Sequence, residues 1–543
     1  MAYDVLIRNG TVIDGTGAPG VQVDVGIRDG RIVAMGPRLA GAAAREIDAS
    51  GSIVAPGFID VHTHSDFTLL SAPSADSKVR QGITTEVVGN CGFSPAPVRP
   101  QTLELLKEYT GFLNPHLPWN WQRLGEFYQR VSERGCAMNI APLVGHGAIR
   151  IAVMGFANRP PSATELLQMQ LLVGEAMEDG AFGISSGLVY SPGCYGDTAE
   201  LIALAAVVRD AGGIYATHMR GEGGALETSI AEALRIGEEA QVAVQISHLK
   251  ASGRENWARM ERALQMIDAG RERGLEVTAD MYPYIAGSTT MTSLFPTWTL
   301  EGGVEPFLAR LADPSTRQRI IDEVQGGAEG WSRANGSLGW DDILVSSCQN
   351  QQQFEGKTVA QIAAAMGQDP ATAMMDFLLA EEGTVSIVMF MMSEDNVALG
   401  LAHPQIMIGS DSLALATGHG GKPHPRTYGT FPRVLGKYVR QDKIITLAEG
   451  VRKMTSMAAQ KLGLSDRGVL AEGKAADVTI FDAATVSDRA TFEDPHQFPE
   501  GIQYVLVNGQ IVVEHGIQHP VLPGQVLRQT WSGSTRGTAP QVP

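Results

Sequence analysis

Residues 57–64 read Gly57-Phe58-Ile59-Asp60-Val61-His62-Thr63-His64, an apolar run ending in two imidazoles one residue apart. Side chains at i and i+2 of a strand face the same side, so His62 and His64 can address one point. That is a metal-ligand arrangement if other strands deliver donors to the same place. His218 closes IYATH, His248 closes VQISH, Asp411 closes MIGSD and Cys91 closes TTEVVGNC. An isolated His-x-His is a weak sign, whereas N, S and O donors converging from several strand ends are a strong one.

These strands belong to a longer series. Between 56 and 465, the segments GFIDVHTH, TTEVVGNC, NIAPLVGH, FGISSG, IYATHM, VAVQISHLK, EVTADMY and QIMIGSDS alternate with helix-like stretches. Such βα units predict an α/β fold of the (β/α)8 TIM-barrel type, with its active site at the C-terminal strand ends. From about 288 to 385 the spacing stretches, and RQRIIDEVQGGAEGWSRANGS predicts an inserted helix and loop, read as a lid over the barrel mouth. Residues 1–55 and 466–530 instead carry short alternating strands with Asn-Gly and Asp-Gly turn signals, as in YDVLIRNGTVI and QYVLVNGQIVVEHG. The two ends are therefore expected to build one small β-sandwich. Residues 531–543, rich in Ser, Thr, Gly, Pro and Gln, are expected to form a flexible tail.

A chain of 543 residues with 44% hydrophobic, 19% charged and 6% aromatic residues is not collagen-like, coiled-coil or wholly disordered. The 42 Lys and Arg against 59 Asp and Glu leave a net charge of −17, which opposes nucleic-acid and anionic-membrane partners but is silent on oligomeric state. Apolar runs such as 201–208 fall short of a membrane span. In the opening MAYDVLIRNG, Asp4 and Arg8 interrupt what a secretory signal would keep apolar. Four cysteines are too sparse for a disulfide framework, so a reducing, cytoplasmic setting is expected.

A thiolate beside imidazoles suits zinc rather than magnesium or calcium. Cys91 follows a strand and is flanked by Gly89 and Gly92, which permit close backbone approach and make it the candidate thiolate. Cys136, Cys194 and Cys348 lack such a context and read as ordinary buried thiols. Asp411 carries two compatible readings, metal ligand and general base.

Together APGFIDVHTHSD, GITTEVVGNCGFSP, ATHMRGEG, QISHLK and MIGSDS resemble the amidohydrolase superfamily and, within it, the N-acyl-D-amino-acid deacylases or D-aminoacylases. The resemblance runs from YDVLIRNGTVIDGTG to GKAADVTIFD and VLVNGQ; His-x-His marks the superfamily, while GNCGFSP and SHLK narrow it to this branch. It implies a zinc-containing barrel that hydrolyses the linear amide of N-acyl-D-amino acids. It implies that Cys91, His218 and His248 hold one zinc tightly, and that His62, His64 and Asp411 form a second, weaker or vacant position. Many superfamily members bridge two metals with a carbamylated lysine on the fourth strand; here that strand reads GISSG, and Cys91 resembles the substitute bridge.

The small-molecule substrate presents a carboxylate, an amide and a side chain. By resemblance Arg426 in HPRTYG, Lys250 in SHLK and Tyr282 in DMYPY bind the carboxylate, and bidentate Arg is the best geometric fit. The SSGLVYSPG segment, with Ser185 and Tyr190, is read as lining the acyl or side-chain pocket or else as a plain connecting loop. His146 is read as pocket-lining or supporting, and His419 and His424 as parts of a flexible loop. Two alternatives stand beside the deacylase reading. One is a dipeptidase or a hydrolase of larger N-acyl or aryl amides; the other is a cyclic amidase of the hydantoinase or dihydroorotase kind, against which the missing bridging lysine counts.

Overall fold

The computed structural model describes residues 2–113, 116–325, 338–418 and 420–529. Each of the eight segments singled out above contains a strand: Phe58–Asp60, Ile83–Val88, Asn139–Pro142 continued by Val144–Gly145, Gly183–Gly187, Ile214–His218, Ala243–Ile246, Val277–Met281 and Ile406–Ile408. Every adjacent pair within this series is parallel. The strands are buried along all or nearly all of their length, polar positions such as Thr84, Glu86, Ser186 and Asp280 included, so they show no alternation of a buried and an exposed face. Beyond the first and last strands, Asp411 N donates to His62 O at 2.8 Å and His64 N donates to Ser412 O at 3.0 Å.

Helices follow the strands and are punctuated locally. Ser162 caps Ala163–Glu178 in a reciprocal capping box with Glu165, and Asp197 caps Thr198–Asp210 through Glu200 N. Leu226–Ala240 and Arg259–Glu272 bury Ile230, Ala233, Leu234, Leu264 and Ile267 at helical spacing.

The two chain ends meet in a seven-stranded sheet, in which Ile53–Pro56 pairs antiparallel with Val478–Phe481 and parallel with Thr11–Val12. A four-stranded sheet built from 3–48 shares one hydrophobic cluster with it, including Ile7, Ile27, Val54, Val478 and Leu506. Asp29-Gly30 and Asn508-Gly509 have positive φ at both positions, as tight hairpin turns require. Asn9-Gly10 differs: instead of closing a hairpin, it carries the chain from the four-stranded sheet into the seven-stranded one.

Where a helix and loop are expected after 288, a three-stranded antiparallel sheet stands as well, Ala286–Thr290 and Ile343–Ser347 flanking Ser386–Phe390. The sequence AGSTT has neither alternation nor apolar character, so this strand is invisible to periodicity. The expected helix is Pro314–Gln325, and the rest of the expected lid loop lies outside the described residues, as does the expected tail 531–543. Among the described residues, no helix is long and apolar enough to cross a membrane.

Candidate metal centre

The donors read from the sequence do come together. His62, His64, Cys91 and Asp411 form one group and Cys91, His218 and His248 a second, with the ligand atoms of each group within 4.8 Å of one another. Cys91 belongs to both. Its Sγ lies 3.2 Å from His62 Nε2 and 3.4 Å from His248 Nε2, and Asp411 Oδ1 lies 3.1 Å from His64 Nε2. All six residues are buried, the most exposed only 8%.

Local backbone geometry explains the delivery. Cys91, His248 and Asp411 take φ values of 54°, 34° and 50°, so each strand breaks into a left-handed residue at its C-terminal end and turns its donor inward. Around Cys91 only glycine fits: a Cβ on Gly89 would stand 2.1 Å from Leu143 O. Ser185 holds the same loop, its hydroxyl donating to Gly89 O at 2.5 Å and accepting from Gly92 N at 2.9 Å. This corrects the expectation that Ser185 lines the substrate pocket: it is fully buried and both hydrogen-bonding roles are taken.

The electrostatics favour a bound cation. Burial pushes the Cys91 thiol up, but His62 and His248, with hydrogen bonds from His218 and His248, more than reverse this and hold it well below the usual thiol range. Burial likewise works against the Asp411 carboxylate, yet Arg426 and the neighbouring imidazoles keep its pKa well below the ordinary value. Despite burial, the Cys91 thiolate and the Asp280, Asp411 and Glu222 carboxylates raise the pKa of His62, His64 and His248, so the field at the centre favours positive charge. Thiolate, carboxylate and imidazole are donor types that suit zinc.

Two carboxylates that the sequence reading passed over orient the imidazoles. Asp280 Oδ1 lies 3.2 Å from His62 Nδ1 and also accepts from His248 N at 2.8 Å. Glu222 Oε1 lies 3.0 Å from His248 Nδ1 and 2.6 Å from Lys250 Nζ. Each leaves the Nε2 of its histidine facing Cys91, the usual support for a ligating imidazole. Behind the His-x-His pair, Lys78 Nζ is fully buried between Asp60 at 3.0 Å and Glu86 at 2.9 Å and donates to Ser410 Oγ at 2.7 Å. Asp60, part of DVHTH, and Glu222, part of ATHMRGEG, were in plain view but carried no periodicity that marked them.

Lys250, Tyr282 and Arg426 gather at one side of the centre. The Arg426 guanidinium stands 4.6 Å and the Lys250 ammonium 5.8 Å from the Tyr282 ring centroid, and Arg426 Nη1 lies 2.9 Å from Asp411 Oδ2. Tyr190 borders all three cavities around the centre, its hydroxyl 2.8 Å from Thr289 Oγ1. His424 is not a loose loop residue: it is buried, donates from Nε2 to Ala286 O at 2.9 Å and accepts from Arg426 N. His146 is buried against Glu200 at 2.6 Å, and His419 lies outside the described residues.

Residues 45–513 match the Amidohydrolase family. The chain is 37% identical to N-acyl-D-glutamate deacylase of Alcaligenes xylosoxydans xylosoxydans, over 97% of this chain and 96% of that protein. It is 36% identical to D-aminoacylase of the same organism, over 97% and 98%. N-acyl-D-glutamate deacylase from Bordetella bronchiseptica, complexed with zinc and a phosphonate inhibitor, superposes with a TM-score of 0.82 at 36% identity, covering 97% of this chain and 100% of that one. The chain belongs to the amidohydrolase family and, within it, to the branch of the D-aminoacylases and N-acyl-D-amino-acid deacylases.

Proposed function

We propose that this chain hydrolyses the linear amide of N-acyl-D-amino acids, releasing a carboxylic acid and the free D-amino acid, with zinc as its metal. The observation that carries the reading is the pair of donor groups sharing Cys91, set beside the Lys250, Tyr282 and Arg426 cluster. The relatives' activities point the same way. We read the eight parallel strands as a (β/α)8 barrel closed by the backbone bonds between 62–64 and 411–412, and the two end-built sheets as a β-sandwich. Four free cysteines support a reducing, cytoplasmic setting.

Cys91, His218 and His248 would hold the first zinc; His62, His64 and Asp411, with Cys91 in common, would hold a second. Zinc bound there supplies Lewis-acid polarisation of the acyl carbonyl and acidifies water at neutral pH. Asp411 takes the proton of the attacking water and passes it to the departing nitrogen. Arg426, Lys250 and Tyr282 bind the substrate carboxylate and fix which face of the α-carbon meets the centre, which is how chirality is read. Tyr190 walls the pocket. The fourth strand supplies no lysine, and its Ser185 is spent on the Cys91 loop, which sets the site apart from cyclic amidases built on a bridging lysine.

The test is initial-rate hydrolysis of matched N-acetyl-D- and N-acetyl-L-methionine, leucine, phenylalanine and glutamate by zinc-loaded enzyme. Turnover confined to the D series is expected. Turnover of the L series alone, or of none with zinc bound, overturns the reading.

A further inference from the structure

Two aromatic side chains divide the space around the centre. Phe93 stands two residues after Cys91, its ring 5.9 Å from that of His64 and 5.0 Å from that of Tyr190. Tyr190 in turn stacks edge-on to His218 at 5.0 Å. On the metal side of this wall lie two cavities, one bordered by His64, Asp411 and Arg426 and the other by His218, His248, Lys250 and Tyr282. A third, lined by Tyr109, Phe112, Phe156, Leu300 and Val304, adjoins the first along Phe93, Phe112 and Tyr190.

The third cavity touches neither a metal donor nor a member of the carboxylate cluster. That separation identifies which arm of a substrate can reach it. The side chain of an N-acyl amino acid leaves the same carbon as the carboxylate, so it stays in the cavities that Lys250, Tyr282 and Arg426 border. The acyl group leaves from the opposite side of the scissile carbonyl and is the arm that points away. Among the described lining residues the charged groups are Glu108 and Glu382, both exposed, with Glu108 Oε2 accepting from Val304 N at 3.3 Å, so an acidic arm would be repelled. Of the remaining lining, eight residues are aromatic or aliphatic and five, Ser191, Thr290, Thr292, Ser293 and Thr384, carry hydroxyls; the apolar part is the kind that takes up methylenes.

We infer that the cavity behind Phe93 and Tyr190 is an acyl-arm site, and that the chain acts on D-amino acids carrying an uncharged apolar acyl chain of medium length. This rests on the deacylase reading and extends it to the half of the substrate that is released as the carboxylic acid. Phe93 and Tyr190 are then the threshold over which the chain passes, and Leu300 and Val304 the far wall against which it ends.

The experiment uses zinc-loaded enzyme and N-acetyl-, N-butanoyl-, N-hexanoyl- and N-octanoyl-D-leucine. Each fully buried methylene is worth about a fourfold gain in kcat/KM, so a rise of at least about tenfold from acetyl to the best chain is expected. Val304→Trp and Leu300→Trp shorten the cavity and should lower the octanoyl-to-acetyl ratio by about tenfold, whereas Val304→Ala keeps the rising profile. The ratio of N-acetyl-D-norleucine to N-acetyl-D-alanine, which reports the side-chain arm, should not change in these variants. Acetyl turnover with a flat or falling acyl series overturns the acyl-arm site and leaves the deacylase reading standing. So does an octanoyl ratio unmoved in both tryptophan variants, or a norleucine ratio that moves instead. Absence of turnover on every compound overturns the deacylase reading itself and this inference with it.

Discussion

Arg426 Nη1 lies 2.9 Å from Asp411 Oδ2, so the guanidinium assigned to the substrate carboxylate and the carboxylate assigned to the proton are held as one pair. An incoming substrate must share Arg426 with Asp411 rather than capture a free cation. Lysine cannot serve two carboxylates from a planar fork. Arg426→Lys is therefore expected to raise KM for N-acetyl-D-amino acids about tenfold or more while zinc content, measured by elemental analysis, stays at the wild-type level.

The proton-transfer role of Asp411 has a separate signature. Asp411→Asn keeps the shape of the side chain and leaves Cys91, His218 and His248 in place. The expected outcome is retained zinc in that group and a kcat lowered by about 10²- to 10⁴-fold, the usual worth of a general acid–base group. Near-normal turnover would remove Asp411 from the mechanism.

Glu222 spans two functions, touching His248 Nδ1 at 3.0 Å and Lys250 Nζ at 2.6 Å. Glu222→Gln weakens the orientation of one and the charge pairing of the other. We expect a loss of roughly 10- to 100-fold in kcat/KM or zinc affinity, as for other supports of ligating histidines. Zinc competition titration and steady-state rates on the same preparation measure the two losses separately, and wild-type values for both would dismiss the role.

Lys78 is a stability element. One ammonium stands between two fully buried carboxylates, and burial holds the Glu86 carboxyl above its usual range despite the pull of Lys78. Lys78→Met leaves Asp60 without its counter-charge. A loss of about 3–5 kcal/mol in unfolding free energy is expected from uncovering a buried charge, read as a lowered urea midpoint.

Acid stability offers a prediction with a defined sign. Arg159 and the Ser162 backbone and hydroxyl hold the Glu165 pKa down at about 2, against an ordinary 4.5 for a free glutamate. A folded-state pKa below the unfolded one means that the unfolded chain binds more protons between these values, so the contribution is full above pH 4.5 and lost as pH falls toward 2. Glu165→Gln should cost about 1 kcal/mol or less at pH 7, a typical capping contribution. The gap between wild-type and variant melting temperatures should close as pH drops through that window, and a gap independent of pH would contradict it.

Much of this was readable in the chain before any coordinates. The strands announce themselves because most are short runs rich in apolar residues between helix-like stretches, GISSG being the exception, and the donors because they sit where those runs stop. The partners of the donors were not readable. Asp280 lies on a different strand from both His62 and His248, and Glu222 is 28 residues from Lys250, so only tertiary placement brings them together. Ser185 is not the pocket residue expected because a serine within a fully buried strand can face either the cavity or a neighbouring loop, and the choice is made by Gly89 and Gly92 in the loop that follows Ile83–Val88. Ala286–Thr290 went unseen because its stability comes from pairing with Ser386–Phe390, about a hundred residues further on, rather than from its own composition.

The pairing of Ile53–Pro56 with Val478–Phe481 bears on how the molecule is made. During synthesis the early strand waits for a neighbour encoded more than 400 residues downstream, a delay of roughly 20 to 90 s at ordinary elongation rates. Throughout that interval a β-edge carrying Ile53 and Val54 stays open on the nascent chain, available to other ribosome-bound copies. Slower growth temperature or chaperone supply should therefore govern soluble yield, and a premature stop before residue 478 would leave the edge permanently uncovered.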